Sequence, residues 1–253
     1  MKLAEIIFHI GGVMNKSTSI PKKRGRFLVI EGLDGAGSST QVLALQKYLA
    51  SINIKCEITR EPSNGPFGAV IREALNLRIP INPRALALAF AADRADHINH
   101  ITIRRSKTQF QERWEAKDTG IRTLLEQGIW VISDRYVLSN LAYQSYQGLD
   151  LDWLIEINKG ILPPDATILV RTPVKECIRR LSSRSTHLEL FDSPGQLKSI
   201  WERYLRIIYL GRKELVGNYI EVNGSLPAQI VAQTIISELS NHFQSELGNN
   251  SKH

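Results

Sequence analysis

Residues 26–41 read RFLVIEGLDGAGSSTQ. Four apolar residues, Phe27 to Ile30, form a run too short for a buried helix and suited to a buried strand. Gly32, Gly35 and Gly37 follow within a tight polar turn, and Val42, Leu43, Leu45 and Leu49 then recur at helical spacing. Strand, glycine-rich turn and helix together make the setting of a phosphate-binding loop, in which backbone N–H groups converge at a helix N-terminus. The usual pattern is G-x-x-x-x-G-K-[ST]. Gly32 and Gly37 keep its spacing and Ser39 its metal-ligating hydroxyl, but Ser38 stands where the lysine belongs. On these residues alone the stretch reads as a nucleotide-binding loop (Gly32, Gly35, Ala36, Gly37, Ser38, Ser39, Thr40) or as a glycine turn without a ligand.

The rest of the chain bounds that reading. Its 253 residues suit one α/β domain, and 43% hydrophobic content is ordinary for a globular protein. No apolar stretch approaches the ~20 residues of a membrane span. Cys56 and Cys177 are too few for a disulfide framework, which points to a reducing, cytoplasmic setting. Of the net charge of +7, five units lie in residues 1–26, where six basic residues face Glu5 alone. The run Lys22-Lys23-Arg24-Gly25-Arg26 lacks interleaved aromatics, so it reads as a solvated leader rather than a nucleic-acid patch. Glu5 and His9 interrupt the first apolar run, which makes it a poor signal peptide, and Met14 opens a more ordinary start. A flexible leader over 1–25, a domain over 26–244 and a disordered tail over 245–253 are the expected divisions.

Within the domain, strands are expected at 55–59, 129–133, 166–170 and 219–222 after the first. Helices are expected at 68–77, 84–97, after Lys117 as far as Gln127, and at 137–146, 152–159, 174–181, 195–215 and 227–243. Asn82-Pro83 and Thr172-Pro173 are helix-start signals. Alternating strands and helices predict an α/β fold with a mainly parallel sheet. Residues 101–117, polar and charged, read as an insertion, and residues 182–194 as a polar loop.

Four segments then carry a family resemblance: 31–41 (EGLDGAGSSTQ), 59–62 (TREP), 90–97 (FAADRADH) and 134–144 (DRYVLSNLAYQ). In this order and at these intervals they resemble the thymidylate kinases, within the P-loop nucleoside monophosphate kinases. The resemblance implies a five-stranded parallel sheet flanked by helices, a lid near 182–194 and a homodimer. It also implies phosphoryl transfer from ATP to dTMP, giving dTDP, with Mg2+.

Such chemistry needs positive charge around two phosphates and a metal. Arg60, Arg72 and Arg135 follow strands or sit on the next helix, and guanidinium forks suit phosphate oxygens. The resemblance places all three on the acceptor phosphate. It puts Asp134 near the metal with Ser39, Asp34 near the acceptor's 3′-hydroxyl, and Glu61 in the acceptor site. Phe90 and Arg94, four apart on one helix face, would stack on and hydrogen-bond the thymine base. Asn140, Tyr143 and Gln144 would line the base and sugar pocket. Arg184, in the lid, is the expected substitute for the missing lysine, while Arg179 and Arg180 fit either that role or a plain helix surface. A kinase of another nucleoside monophosphate and a catalytically silent nucleotide binder, favoured by Ser38, are the competing readings.

Overall fold

The computed structural model describes residues 23–107, 112–183, 190–191, 193–210 and 213–247. At its centre lies β1 (Phe27–Glu31), every residue of which is buried. A strand apolar on both faces must be covered on both sides, and a parallel sheet wrapped by helices does this. β1 pairs in parallel with β5 (Trp130–Asp134) and β6 (Ala166–Arg171), and the sheet is completed by β2 (Cys56–Arg60) beyond β5 and β7 (Asn218–Asn223) beyond β6. The order is therefore β2-β5-β1-β6-β7, all parallel. This is the sheet expected from the alternation of patterns, with strand ends displaced by a residue or so.

The connecting helices are α1 (Ser38–Ser51), α2 (Pro66–Leu75), α3 (Pro83–Ile98), α4 (Ile121–Glu126), α5 (Val137–Tyr146), α6 (Leu151–Glu156), α7 (Val174–Ser182), α8 (Pro194–Tyr209), α9 (Lys213–Val216), α10 (Ala228–His242) and α11 (Gln244–Leu247). One continuous core joins the sheet to these helices, and a smaller cluster of Ile71, Ala74 and Leu86 locks α2 onto α3. Asn82 caps α3 by accepting from the Arg84 N–H at 2.9 Å, as its Asn-Pro start predicts. At α8 a capping box forms between Ser193 and Gln196.

Three expectations are corrected, and the insertion is given its form. The insertion at 101–117 is an antiparallel hairpin, β3 (Ile101–Lys107) and β4 (Glu112–Asp118). The helix expected over 195–215 is two helices, because α8 ends at Tyr209 and α9 begins at Lys213. The leader gives way before residue 26: Lys23 pairs with Glu246 at 2.8 Å and Arg24 with Asp165 at 3.0 Å. The tail does not begin at 245. α11 runs to Leu247, which is buried, and Glu246 takes a bidentate grip from Arg26, whose guanidinium also covers the Phe243 ring at 4.9 Å. Opposite charges at the two ends of the domain, with apolar neighbours beneath them, account for this closure.

Candidate active site

The loop after β1 turns as its glycines require. Gly37, with φ of 102°, is in the left-handed region at the mouth of α1, where a side chain would be strained. A Cβ on Gly35 would stand 2.5 Å from the Cys177 carbonyl oxygen, so α7 packs against bare backbone. The Ala36 carbonyl accepts from Thr172 Oγ1 at 2.9 Å and from Arg180 Nη1 at 3.0 Å. First-turn N–H groups of α1 have no acceptor inside the helix and suit an anion. Ser38 is buried in this turn.

Beside the loop, Ser39 Oγ donates to Asp134 Oδ2 at 2.5 Å. The strand register that sets Ile30 against Asp134 brings the two together across 95 residues of sequence. Asp134 Oδ1 is buried and has no hydrogen-bond partner among the described residues. A hard-cation site of oxygen donors fits this pair, and the bare Oδ1 is the position that a divalent ion would satisfy.

Next comes a cleft of about 310 Å³, lined among others by Asp34, Ser39, Arg60, Glu61, Arg72, Phe90, Asp134, Arg135, Asn140, Tyr143 and Gln144. Arg135, directly after β5, has φ of 72°, a strained value for a residue with a side chain. Its N–H donates to the Ile30 carbonyl at 2.9 Å, and its Nη2 grips Asp34 Oδ1 at 2.7 Å. Tyr143 donates to Asp34 Oδ2 at 2.6 Å, and burial pushes its phenol well up, which keeps it a neutral donor. Beneath this cluster, fully buried Glu31 accepts from the N–H groups of Tyr136 and Ser139, from Ser139 Oγ and from the Tyr204 hydroxyl. Burial pushes the Glu31 carboxyl up against the pull of those donors. The carboxylate thus caps α5 from another strand and fixes the angle at which Asn140, Tyr143 and Gln144 face the cleft.

Arg72 is turned back onto the loop after β2, where it donates to the Ser63 carbonyl. Asp93 holds the same loop through the Ser63 N–H at 2.7 Å and hydroxyl at 2.6 Å. Arg60 is exposed at the cleft edge.

Arg94, expected on the thymine base, is engaged with buried side chains. It lies outside the cleft lining, is fully buried, and donates to Glu61 Oε2 from Nε (3.0 Å) and Nη2 (2.5 Å) and to Asn140 Oδ1 from Nη1 (3.3 Å). Asn158 also accepts from Nη1. A guanidinium only donates, so it turns the Asn140 oxygen toward itself. Asn140 Nδ2 then donates to Gln144 Oε1 at 2.8 Å, and Gln144 Nε2, of a cleft-lining residue, is left buried without a partner among the described residues. The chain Glu61–Arg94–Asn140–Gln144 therefore orients the last amide as a donor, with Phe90 lining the same cleft.

The family model for thymidylate kinase matches residues 30–235. This chain belongs to the thymidylate kinase family. It is 35% identical over 223 residues to a probable thymidylate kinase of Thermococcus kodakarensis, a match that covers 84% of this chain and 99% of that protein. With a probable thymidylate kinase of Thermococcus gammatolerans it shares 40% identity over 192 residues, 72% of this chain and 83% of the other. A solved thymidylate kinase from Candida albicans has the same fold, with a TM-score of 0.67, 24% identity, and coverage of 87% of this chain and 94% of that one.

Set on a thymidylate kinase fold, the expected residues sort clearly. The structure brings together Asp34, Ser39, Arg60, Glu61, Arg72, Phe90, Asp134, Arg135, Asn140, Tyr143 and Gln144 in one cleft. Arg184 lies outside the described residues. Of the two arginines before it, Arg179 is on the surface, paired with Glu176, whereas Arg180 reaches the Gly35, Ala36 and Gly224 carbonyls. Ala36, Gly37, Thr40 and Arg180 line a second cleft of about 160 Å³ with Gly224 and Leu226. Leu190 and Phe191, from the expected lid, close the first cleft, and the Phe191 ring meets Tyr143 edge-on at 5.1 Å. Sequence reading missed Glu31, Ser139, Asn158 and Phe191. Glu31 gave a signal, being a carboxylate inside an apolar strand, which demands buried partners.

Proposed function

We infer that the chain transfers the γ-phosphoryl group of ATP to dTMP, giving dTDP and ADP. The observation that carries the acceptor half is a cleft lined both by Phe90 and Gln144 and by Arg60, Arg72 and Arg135 with Ser39 and Asp134. Its volume is at the lower bound of small-molecule sites, about 300 Å³. ATP would lie across the α1 N-terminus with its base end in the smaller cleft by Thr40, Arg180 and Gly224.

In this reading the arginines hold the acceptor phosphate and spread its charge, which leaves positioning and electrostatics as the main catalytic terms. Asp34 locks the Arg135 fork, and Tyr143 completes that lock. Ser39 and Asp134 would hold Mg2+, which when bound neutralises phosphate oxygens. At the base end, a buried amide donor left unpaired by the wrong base is a strong discriminator. A pyrimidine carbonyl satisfies Gln144 Nε2; an exocyclic amino group does not.

A coupled ADP-release assay with ATP, Mg2+ and each nucleoside monophosphate tests this. dTMP should be the best acceptor, and Gln144→Glu, which replaces donor by acceptor, should cost at least about tenfold in kcat/KM for dTMP while sparing the KM for ATP. Equal turnover of dCMP and dTMP overturns the assignment.

A homodimer is supported by exposed Phe67 and Val70 on α2 and Leu88 on α3, two helices that pack together. Sedimentation equilibrium reads this directly, and a monomer at micromolar concentration would refute it. Two free cysteines suit a reducing cytoplasm, and no helix among the described residues is long and apolar enough to cross a membrane. Cell fractionation would test that placement.

A further inference from the structure

Glu61 takes both Arg94 donors on one oxygen, Oε2, at 3.0 and 2.5 Å. Its other oxygen, Oε1, is buried and has no hydrogen-bond partner among the described residues. Across 3.6 Å from Oε1 stands His97 Nδ1, itself buried and unpartnered. The second ring nitrogen, Nε2, lies 2.5 Å from Thr59 Oγ1. Of the two neutral tautomers, these contacts favour the one that turns an N–H toward Glu61. A carboxylate only accepts, whereas a hydroxyl donates or accepts. With the proton on Nδ1, the ring faces Glu61 as a donor, and the Nε2 lone pair receives the Thr59 hydroxyl proton. With the proton on Nε2, two lone pairs would oppose each other in a buried place, at the full cost of unmade hydrogen bonds.

We propose that His97 is a positioning residue for base recognition: held as the Nδ1–H form by Thr59, it secures Glu61 Oε1 and so the whole chain through Arg94 and Asn140 to the Gln144 donor. His97 does not line the acceptor cleft. It lines instead a separate cavity of about 490 Å³ with Thr59, Asp96 and His100. Its influence on the substrate passes through Glu61, which does line the acceptor cleft. Among the described residues Arg94 has no other carboxylate partner, so a Glu61 free to rotate releases the guanidinium and with it the orientation of both amides. The effect on base choice rests on the dTMP reading above; the protonation of the ring does not.

Two isosteric variants separate the ring nitrogens. His97→Asn places an amide near the Nδ1 position, and His97→Gln places one near Nε2. His97→Gln should raise the KM for dTMP about tenfold, the scale of one lost hydrogen bond to a charged group, and narrow the preference for dTMP over dCMP. The KM for ATP should stay within about twofold, and His97→Asn should stay within about threefold of wild type for both substrates. Identical behaviour of the two variants, or an equal loss toward ATP and dTMP, overturns the proposal. A measurement on the wild type guards against misfolded variants. Long-range 15N–1H correlation of the ligand-free protein should show a protonated His97 Nδ1, and an unprotonated Nδ1 refutes the proposal outright. If the wild type phosphorylates other acceptors but not dTMP, the functional reading falls, and the ring spectrum still decides whether His97 holds Glu61.

Discussion

Arg180 Nη1 donates to the Ala36 carbonyl across 3.0 Å, so a guanidinium from α7 braces the phosphate loop on its carbonyl side. The same side chain reaches the Gly35 carbonyl at 3.4 Å and, through Nη2, the Gly224 carbonyl at 3.0 Å. Carbonyls drawn back toward a cation leave the N–H sides of those peptides facing the opposite way, toward an incoming phosphate. Arg180→Ala should therefore raise the KM for ATP about tenfold and leave the KM for dTMP unchanged. Steady-state kinetics with each substrate varied in turn measures this, and an unchanged ATP KM would refute the bracing role.

Glu176 holds Arg180 in turn, accepting from its Nε at 2.8 Å and from Arg179 at 2.8 and 2.7 Å. These two guanidiniums, Arg179 foremost, hold the Glu176 carboxyl down at about 2, against an ordinary 4.5. A folded-state pKa below the unfolded one stabilises the fold above the unfolded value and loses that effect as pH falls toward the folded one. Wild type should thus exceed Glu176→Gln in stability at pH 7, with the gap closing between pH 4.5 and 2. Urea midpoints across that range test it; a constant gap would count against the pairing.

Asp134→Asn keeps the shape of the side chain and a hydrogen-bond acceptor for Ser39 while removing the charge at the bare Oδ1. Turnover should drop by about 10²–10³, with the melting temperature nearly unchanged. Chelation of Mg2+ should abolish transfer in the wild type. Retention of most activity in the variant would make Asp134 a structural residue.

Ser38 leaves the loop without its usual cation, and Arg180 is committed to the carbonyl side. Arg184 is the residue we assign to the phosphates in its place. Arg184→Ala should abolish turnover, and adding Ser38→Lys to it should restore part. A harmless Arg184→Ala in an enzyme that otherwise uses dTMP normally would sink the idea.

Much of the site was legible because its parts are local. Gly32, Gly37 and Ser39 are readable from spacing alone, and Asp134 and Arg135 from their place at a strand end. Phe90 and Arg94 were read as one face of one helix, and the spacing does not record how the two part in the fold. Phe90 lines the cleft, while Arg94 is drawn beneath it by Glu61, 33 residues away. Arg179 and Arg180 show the same limit. They are adjacent and identical in type, yet one is solvated and the other grips three carbonyls.

By itself the sequence determined the strand–loop–helix unit, the α/β alternation and the set of chemically able side chains, since these depend on periodicity and on backbone freedom within a few residues. Tertiary structure decided which charges line the cleft and which face each other. Glu31 was committed to α5, Glu61 to Arg94, and Arg26 to Glu246 across 220 residues. The physical reason is that burying a charge demands a partner. Which partner arrives is set by strand register and helix packing, and no interval in the sequence records them.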